Sequence, residues 1–442
     1  MTKPSLLEHV LDLAALPAAA LPADAQKIAQ LSLFDWIVVS LAGSDQPLAK
    51  IMRDFVEAEG GVPIATVTGG NMKLPPRAAA LANGAISHAL DYDDTHFAYV
   101  GHPSVAIYPA ALAAAEETNR TAADLVNAFL VGAEASCRIG MVLGRTHYDA
   151  GFHQTATSGA FGATIAACRL YGMQSADVSA ALGLVSSRAS GLKSQFGTMG
   201  KPFNAGAAAS NGIEAAGLAR LGFTATDQAF SGPQSFLVSH HFDPGGEAQI
   251  DNWNFDSFVF GDVRHKLHAC CHGTHAMIEA ILEIMKQSDF SVSKIHKVRV
   301  QTAPSWMNVC NITAPRTGLE LKFSYGFLAA MTLRGVNLAD YDSFDDRLCN
   351  DNELATLAGR TEVVPNDKMT VTATEVKIDL TSGETISQKF DLLSPLDPEQ
   401  LSERLRGKAA ALIGSKRAND LWSMFDDLTK VSAADVARQL HG

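Results

Sequence analysis

The chain has 442 residues, of which 47% are hydrophobic and only 19% are charged, and its formal net charge is −12. This length allows two domains, and the low charged fraction indicates much buried surface, in a thick core or at a subunit interface. The negative charge argues against nucleic acid as a partner, because phosphate binding needs basic patches. An anionic small substrate stays open, since a few cations in a pocket set the local field.

The cysteine pattern and the N-terminus predict a cytoplasmic protein that does not associate with a membrane. None of the six cysteines has CxxC spacing, and the only close pair is adjacent, Cys270 and Cys271, which rarely bridges. Free thiols in a reducing compartment are therefore expected. The N-terminus lacks the charged-then-apolar order of a signal peptide, and no apolar run approaches the roughly 20 residues of a membrane span.

Residues 1–262 are predicted to be helical. Ser5 to Glu8 and Thr121 to Asp124 have the spacing of capping boxes, which mark helix starts. Small residues are concentrated in 155–167 and 205–219. Because small side chains let helix backbones approach closely, these two stretches predict tightly packed core helices.

The composition changes after residue 262. Residues 297–301 and 375–380 alternate polar and apolar side chains, and a Ser-Gly turn at 382–383 precedes a return strand opened by Ile386. A helical pattern resumes at about residue 397. The predicted fold class is mainly α, with a large all-helical domain (1–262 and 397–442) and a smaller α+β lid domain (263–396).

The first polar cluster is HALDYDDTH at 88–96, followed by GHPS at 101–104. It falls between two predicted helices, where catalytic groups often sit, and Ser104 near the next helix start could help to bind an anion. A solvated acidic loop is the plain alternative. A metal site is another, although the segment has no HExxH or HxH pattern.

Two further segments contain single candidates. His153 directly precedes the first small-residue stretch, where an imidazole can act as an acid or a base near neutral pH or can simply cap the helix. Lys201 precedes Pro202 and the second small-residue stretch, where it could hold a carboxylate beside a helix N-terminus. The glycine spacing around Lys201 is not that of a Walker A loop.

The fourth segment, HKLHACCHGTH at 265–275, crowds four histidines and two cysteines into eleven residues. That is too short for the usual paired-ligand spacing of a zinc site. A turn followed by a helix start, with some side chains aimed at a cleft, is the preferred interpretation.

Together these segments resemble the MmgE/PrpD family. HALDYDDTH with GHPSV, GFHQTATSGAFGA, FGTMGKPFNAG, KLHACCHGTHAMIEA and the later PRTGLELKFS occur in the family's order and cover nearly the whole chain. The family includes 2-methylcitrate dehydratase, cis-aconitate decarboxylase and iminodisuccinate epimerase. The resemblance implies a helical domain, a smaller α+β lid, an active site between them, a homodimer, and no metal or organic cofactor.

The resemblance also implies the site residues. The predicted catalytic residues are His153, His102, Lys201, Asp91 and His275. The predicted substrate-binding residues are Thr95, Ser104, Lys201, Lys266 and Cys271, where Cys271 is the alternative to His275 for one pocket position. Two positions depart from the family pattern, with Asn204 where a histidine is common and Gly200 where a threonine often stands.

The expected chemistry is proton transfer at a carbon next to a carboxylate of a small polycarboxylic acid. Lys201 would hold a carboxylate, His153 ahead of His102 would be the base, and Asp91 would orient one imidazole. A histidine base predicts a rate that rises through roughly pH 6–7.

Several reactions fit this chemistry. A 2-methylcitrate dehydratase-like hydro-lyase comes first, an epimerase of a dicarboxylate such as iminodisuccinate is the alternative, and a cis-aconitate-type decarboxylase comes third. The rivals from other classes are a non-catalytic protein on the same scaffold and a metal hydrolase.

Overall fold

A computed structural model describes residues 5–229, 232–240, 250, 253–394 and 396–442. Its contacts divide the chain into two compact units, Met1–His265 with Ile413–Gly442, and Lys266–Leu412. The predicted fold class is confirmed: the chain is mainly α, with a smaller α+β part.

The first unit is built chiefly from helices, which in chain order are α1 (Leu6–Ala15), α2 (Ala23–Gly43), α3 (Pro47–Glu59), α4 (Pro76–Ser87), α5 (Pro103–Glu117), α6 (Ala122–Asp149), α7 (Gln154–Tyr171), α8 (Ser175–Ser186), α9 (Gly200–Arg220) and α10 (Phe236–Ser239). The capping boxes predicted at Ser5 and Thr121 are present. The expectation of an all-helical domain is corrected in one place, where β1 (Ala65–Thr66) and β2 (Lys73–Leu74) form a short antiparallel ribbon.

Helix α6 runs through the core of the first unit. By length and composition it could cross a membrane, but 89% of its most apolar window is buried inside the structure, as in the core helix of a globular domain. Its buried Glu134 binds Arg138 one turn later and accepts hydrogen bonds from the backbone of Val259 and Phe260. The helix kinks at Gly144, whose φ of 70° lies outside the helical region.

The predicted close packing of small-residue helices is present. Gly84 on α4 and Gly206 on α9 face each other so closely that a Cβ on Gly84 would lie 2.6 Å from the Gly206 Cα. Gly132 on α6 and Gly162 on α7 make a similar approach, with a Cβ on either residue falling within 2.5 Å of the other's carbonyl oxygen. These contacts fix the spacing of the helices whose ends carry the polar clusters.

The loop between α4 and α5 is anchored by Asp94. Its carboxylate accepts hydrogen bonds from the Ser104 backbone N–H at 3.2 Å and the Ser104 hydroxyl at 2.6 Å, in the first turn of α5. Complete burial outweighs these two bonds and raises the pKa of Asp94 to about 7. The protonated carboxyl is therefore favoured in the folded chain over much of the acidic range.

The second unit combines helices with one sheet. Its helices are α11 (His275–Gln287), α12 (Gly318–Leu321), α13 (Tyr325–Leu333), α14 (Asn352–Ala358) and α15 (Pro398–Ile413). The strands β3 (Ile295–Thr302), β4 (Thr361–Pro365), β5 (Ala373–Leu380) and β6 (Thr385–Asp391) form a sheet in the order β4-β3-β5-β6. β3 pairs in parallel with β4 and antiparallel with β5, which pairs antiparallel with β6.

Helix α15 lies in the second unit up to Leu412, whereas the sequence analysis assigned residues 397–442 to the first domain. Within the second unit, Arg404 on α15 binds Glu279 on α11 at 2.5 Å, a contact that the local sequence pattern does not reveal. The chain returns to the first unit with α16 (Ser415–Ser423) and α17 (Ala433–Gln439), and α17 begins with a capping box at Ser432.

Adding a methyl group at Gly206 should destabilise the first unit, because an alanine Cβ there would lie 2.2 Å from the Leu81 carbonyl oxygen. We expect Gly206→Ala to cost about 1–3 kcal/mol of unfolding free energy by overpacking. Gly217→Ala in the same helix is the matched control, since a Cβ there meets nothing within 4 Å. It should be neutral or stabilising by up to about 1 kcal/mol. Denaturant unfolding measures both, and equal midpoints would contradict the close-approach argument.

The raised pKa of Asp94 predicts a pH-dependent stability. The folded chain binds this proton more tightly than the unfolded chain, so the unfolding free energy falls as pH rises from about 4 to about 7 and then levels off. Asp94→Asn mimics the protonated carboxyl and should lack this loss, which amounts to about 1.4 kcal/mol per pKa unit. Thermal unfolding from pH 5 to 8 should show the wild type weakening relative to the variant. Parallel pH profiles would contradict the prediction.

Candidate functional site

The first unit brings four of the predicted catalytic side chains to the helix ends around the α4–α5 loop. His102 and His153 occupy the N-cap positions of α5 and α7, Lys201 is in the first turn of α9, and Asp91 lies in the loop itself. Asp91 has a φ of 50°, an uncommon left-handed conformation for a residue with a side chain.

Asp93 is the centre of this arrangement. Its Oδ1 is hydrogen-bonded to Nδ1 of His88 at 2.7 Å, and its Oδ2 lies 2.9 Å from Nδ1 of His102. The second contact has the length but not the alignment of a hydrogen bond. Burial opposes ionisation, yet the two imidazoles together hold the pKa of Asp93 well below its usual value.

The ionised Asp93 determines how His102 is protonated. A carboxylate attracts an N–H and repels a lone pair, so the 2.9 Å contact favours the tautomer of His102 that has its proton on Nδ1, the nitrogen facing Asp93. Its other nitrogen, Nε2, then has a free lone pair on the side of Asp91, 3.9 Å from Oδ1. Burial lowers the pKa of His102 to about 4, so the ring is neutral at pH 7.

His153 has the opposite tautomer. The amide nitrogen of Asn204 lies 3.2 Å from Nδ1 of His153 and also donates to the Leu192 carbonyl oxygen, which fixes the amide orientation. Because an amide NH₂ only donates, Nδ1 of His153 accepts and Nε2 carries the proton. Burial, reinforced by Lys201, holds the pKa of His153 well below its usual value.

Lys201 and Asp91 form the most accessible part of the cluster. Their ion pair is 2.6 Å long, and the Asp91 side chain is 44% exposed while that of Lys201 is 15% exposed. The ammonium also lies 5.4 Å from the centre of the Phe196 ring. An anion that enters from solvent would therefore meet a lysine at a helix N-terminus, where positive charge from the backbone adds to its own.

Two of the predicted substrate-binding residues, Ser104 and Thr95, lie in or next to the α4–α5 loop, and their side chains differ in hydrogen bonding. Both the backbone N–H and the hydroxyl of Ser104 are bonded to Asp94, so Ser104 anchors α5. Thr95 exchanges two backbone hydrogen bonds with Arg264. The Thr95 hydroxyl is buried, and among the described residues it has no hydrogen-bond partner.

The other predicted site residues, Lys266, Cys271 and His275, belong to the second unit. Lys266 and His275 are buried, and Nε2 of His275 lies 3.3 Å from the Cys270 carbonyl oxygen. Burial holds the pKa of His275 well below its usual value. These contacts describe a histidine packed into its own segment.

Next to His275, an ion-pair network ties the 265–275 segment to α11 and α15. His268 and Arg404 both bind the same oxygen of Glu279, at 2.7 and 2.5 Å. Although burial opposes ionisation, these bonds lower the pKa of Glu279 to about 2.

A metal ion would find suitable donors in the first unit. One ligand atom from each of His88, Asp91, Asp93 and His102 lies within 4.8 Å of the others, and imidazole with carboxylate is a donor set that zinc accepts. Both carboxylates of this set already have partners within the protein, since Asp91 pairs with Lys201 and Asp93 contacts the imidazoles of His88 and His102.

The sequence analysis overlooked two residues of this site. His88 stood in the first polar motif but was not selected, and the orienting role assigned to Asp91 fits Asp93 better. A signal was available: His88 is the C-cap of α4, and a chain that turns back after a helix end can bring a residue five positions later against it. His147, by contrast, is committed to the His240 carbonyl oxygen and the Thr157 hydroxyl.

Comparison with curated proteins finds relatives along most of the chain. A cis-aconitate decarboxylase-like protein, oryM, of Aspergillus oryzae is 26% identical over 96% of this chain and 94% of its own length. The cis-aconitate decarboxylase of Aspergillus terreus is 26% identical over 93% and 91%. The human cis-aconitate decarboxylase is 27% identical over 82% and 77%.

Family sequence models match both parts of the chain. The MmgE/PrpD N-terminal domain matches residues 13–245, and the MmgE/PrpD C-terminal domain matches residues 268–421. The relatives carry the names cis-aconitate decarboxylase or cis-aconitate decarboxylase-like protein. The resemblance carried by the polar motifs is thereby confirmed, and the chain belongs to the MmgE/PrpD family.

Proposed function

We propose that the protein is a lyase that transfers a proton at a carbon next to a carboxylate of a small polycarboxylic acid. The observation that carries the proposal is the placement of the His102 and His153 imidazoles beside the Lys201 ammonium, with neighbours that favour opposite tautomers of the two rings. Decarboxylation of cis-aconitate is the first reaction to consider, because it is the activity named for the relatives. The sequence analysis placed dehydration first, and dehydration remains the second candidate.

Lys201 is proposed to bind a substrate carboxylate in place of Asp91. Its ammonium is partly accessible and already holds one carboxylate at 2.6 Å, so a substrate carboxylate can take the same position. Negative charge that develops on this carboxylate during the reaction is then stabilised by a cation in a largely buried site.

His102 is proposed as the group that exchanges a proton with the substrate carbon, which reverses the order given by the sequence analysis. Its Nε2 lone pair is directed away from Asp93, whereas the corresponding nitrogen of His153 carries a proton. In a dehydration, His102 would remove the C–H proton and His153 would protonate the departing hydroxyl. The low pKa of both rings keeps them neutral at the start of such a reaction.

Decarboxylation needs the opposite proton transfer. The electrons of the breaking C–C bond move into the substrate as CO₂ leaves, and a carbon atom must gain a proton. A bound tricarboxylate raises the pKa of nearby imidazoles by its negative charge. His102 would therefore take up a proton as the substrate binds and deliver it from Nε2, and Asp93 would stabilise the imidazolium.

The reaction class is tested by a substrate panel. We expect purified protein to convert cis-aconitate with release of CO₂, or to dehydrate 2-methylcitrate, each followed by proton NMR. We also propose that turnover needs no metal, so prolonged EDTA treatment should leave the rate unchanged. Activity that disappears with EDTA and returns with a divalent ion would instead assign the His88–Asp93–His102 group to a metal. A panel of di- and tricarboxylates without any turnover would contradict the proposal.

The base assignment predicts that His102→Gln lowers kcat by at least about 100-fold. Asp93→Asn should lower kcat with little change in KM, because the His102 ring loses the carboxylate that fixes its tautomer.

The pH profile of kcat/KM distinguishes dehydration from decarboxylation. If His102 starts as a base, kcat/KM is constant above about pH 5 and decreases as the pH is lowered through about 4. The sequence alone predicts this decrease at about pH 6–7. If His102 must be protonated, kcat/KM declines as pH rises above about 4.

A second pair of variants tests the role of Lys201. Lys201→Gln should raise KM and lower kcat, whereas the control variant Lys193→Gln should change neither. Lys193 is engaged with Tyr148 through the Tyr148 carbonyl oxygen at 2.7 Å and the face of its ring. If His102→Gln kept near-normal turnover and His153→Gln were inactive, the base would be His153, as the sequence predicts, and not His102.

A further inference from the structure

The second unit contains two cysteines, Cys271 and Cys310, whose thiols are in direct contact. The Cys310 thiol donates a hydrogen bond to Sγ of Cys271 across 3.2 Å. Neither cysteine is in a disulfide bond in this structure. A disulfide bond measures about 2.05 Å between sulfurs, so an approach of roughly 1 Å would suffice to form one.

Backbone hydrogen bonds hold the two cysteines next to the same short segment of the chain. The Cys271 N–H donates to the Lys322 carbonyl oxygen at 3.1 Å, and the Tyr325 N–H donates to the Cys310 carbonyl oxygen at 3.0 Å. Both cysteines are thus tied to the same short stretch, 322–325. The proximity of the sulfurs follows from this shared support, although 39 positions of sequence separate them.

We propose that Cys271 and Cys310 form a reversible disulfide when the protein meets a hydroperoxide. Cys271 is half-buried and Cys310 is fully buried, so the oxidant reaches Cys271 first. The hydrogen bond to Cys271 and burial raise the pKa of Cys310 well above its usual value, which keeps Cys310 as the protonated donor. A thiolate on Cys271 is stabilised by that same donated S–H.

The oxidation balances with one equivalent of peroxide. The Cys271 thiolate attacks one peroxide oxygen, the O–O bond breaks, and Cys271 becomes a sulfenic acid while hydroxide leaves. The Cys310 sulfur then attacks the sulfenic sulfur, the S–O bond breaks, and the hydroxide released combines with the Cys310 proton as water. Two thiols and one hydrogen peroxide give one disulfide and two waters, and dithiothreitol reverses the change.

The test uses the full chain and does not depend on the proposed function. The protein is treated with a small excess of hydrogen peroxide, unfolded under alkylating conditions, and digested without reduction for mass spectrometry. We expect two of the six thiols to disappear and a linked peptide pair containing Cys271 and Cys310 to form. Dithiothreitol should restore all six thiols.

Matched variants make the result specific. Cys310→Ser should abolish the linked pair and leave a Cys271 sulfenic acid that dimedone traps, whereas Cys349→Ser, at another half-buried cysteine of the same unit, should behave as wild type. Cys271→Ser should also abolish the linked peptide pair. Circular dichroism checks that each variant is folded. Six intact thiols after treatment, a link between other cysteines, or a sulfinic acid at Cys271 in the wild type would overturn the proposal.

Discussion

The candidate site depends on one buried negative charge. Asp93 lies where burial alone would keep it protonated, and two imidazoles reverse that preference. The position of His102 follows from this carboxylate, because its Nδ1 faces Asp93 while its backbone N–H donates to the Thr155 hydroxyl on α7 at 3.0 Å. The α4–α5 loop thus joins the helices on either side of it through charge as well as through packing.

The same loop shows how two neighbouring carboxyls can differ. Asp93 and Asp94 are adjacent and both buried, yet the pKa of Asp93 is lowered and that of Asp94 is raised to about 7. The difference lies in the partners, since Asp93 contacts two imidazoles, whereas Asp94 accepts hydrogen bonds from a hydroxyl and a backbone N–H and lies near the acidic side chains of Asp93 and Asp35. One side chain provides charge at the site, and the other fixes the helix that carries His102.

Much of this organisation could be predicted from the sequence, and the misses have identifiable causes. Capping boxes, strand alternation and small-residue stretches are local patterns, and the elements they predict are present. Strand β4 was missed because TEVVP is short and pairs in parallel with a strand distant in sequence. The compact units group most of helix α15 with the second unit, whereas the sequence pattern grouped residues 397–442 with the first domain, and the contact of α15 with Glu279 spans 125 positions.

The site residues divide in the same way. The family resemblance implies that His102, His153, Lys201 and Asp91 share one pocket, but it does not decide which aspartate faces which ring. The tautomer of His153 depends on Asn204, which the sequence marked only as a departure from the family pattern. Its consequence, a lone pair on Nδ1 engaged by an amide, becomes visible only when α7 and α9 are placed side by side.

The ion pair between Lys201 and Asp91 also bears on which anions could bind, because an incoming carboxylate would have to displace Asp91 from the ammonium. A monocarboxylate that enters the site exchanges one carboxylate for another on the same ammonium, so the net electrostatic gain is close to zero. For a proposed polycarboxylate substrate, a second or third carboxylate could add contacts that Asp91 cannot replace, which would make the exchange favourable. The protein's own aspartate would act as a built-in competitor that excludes abundant monoanions and admits polyanions.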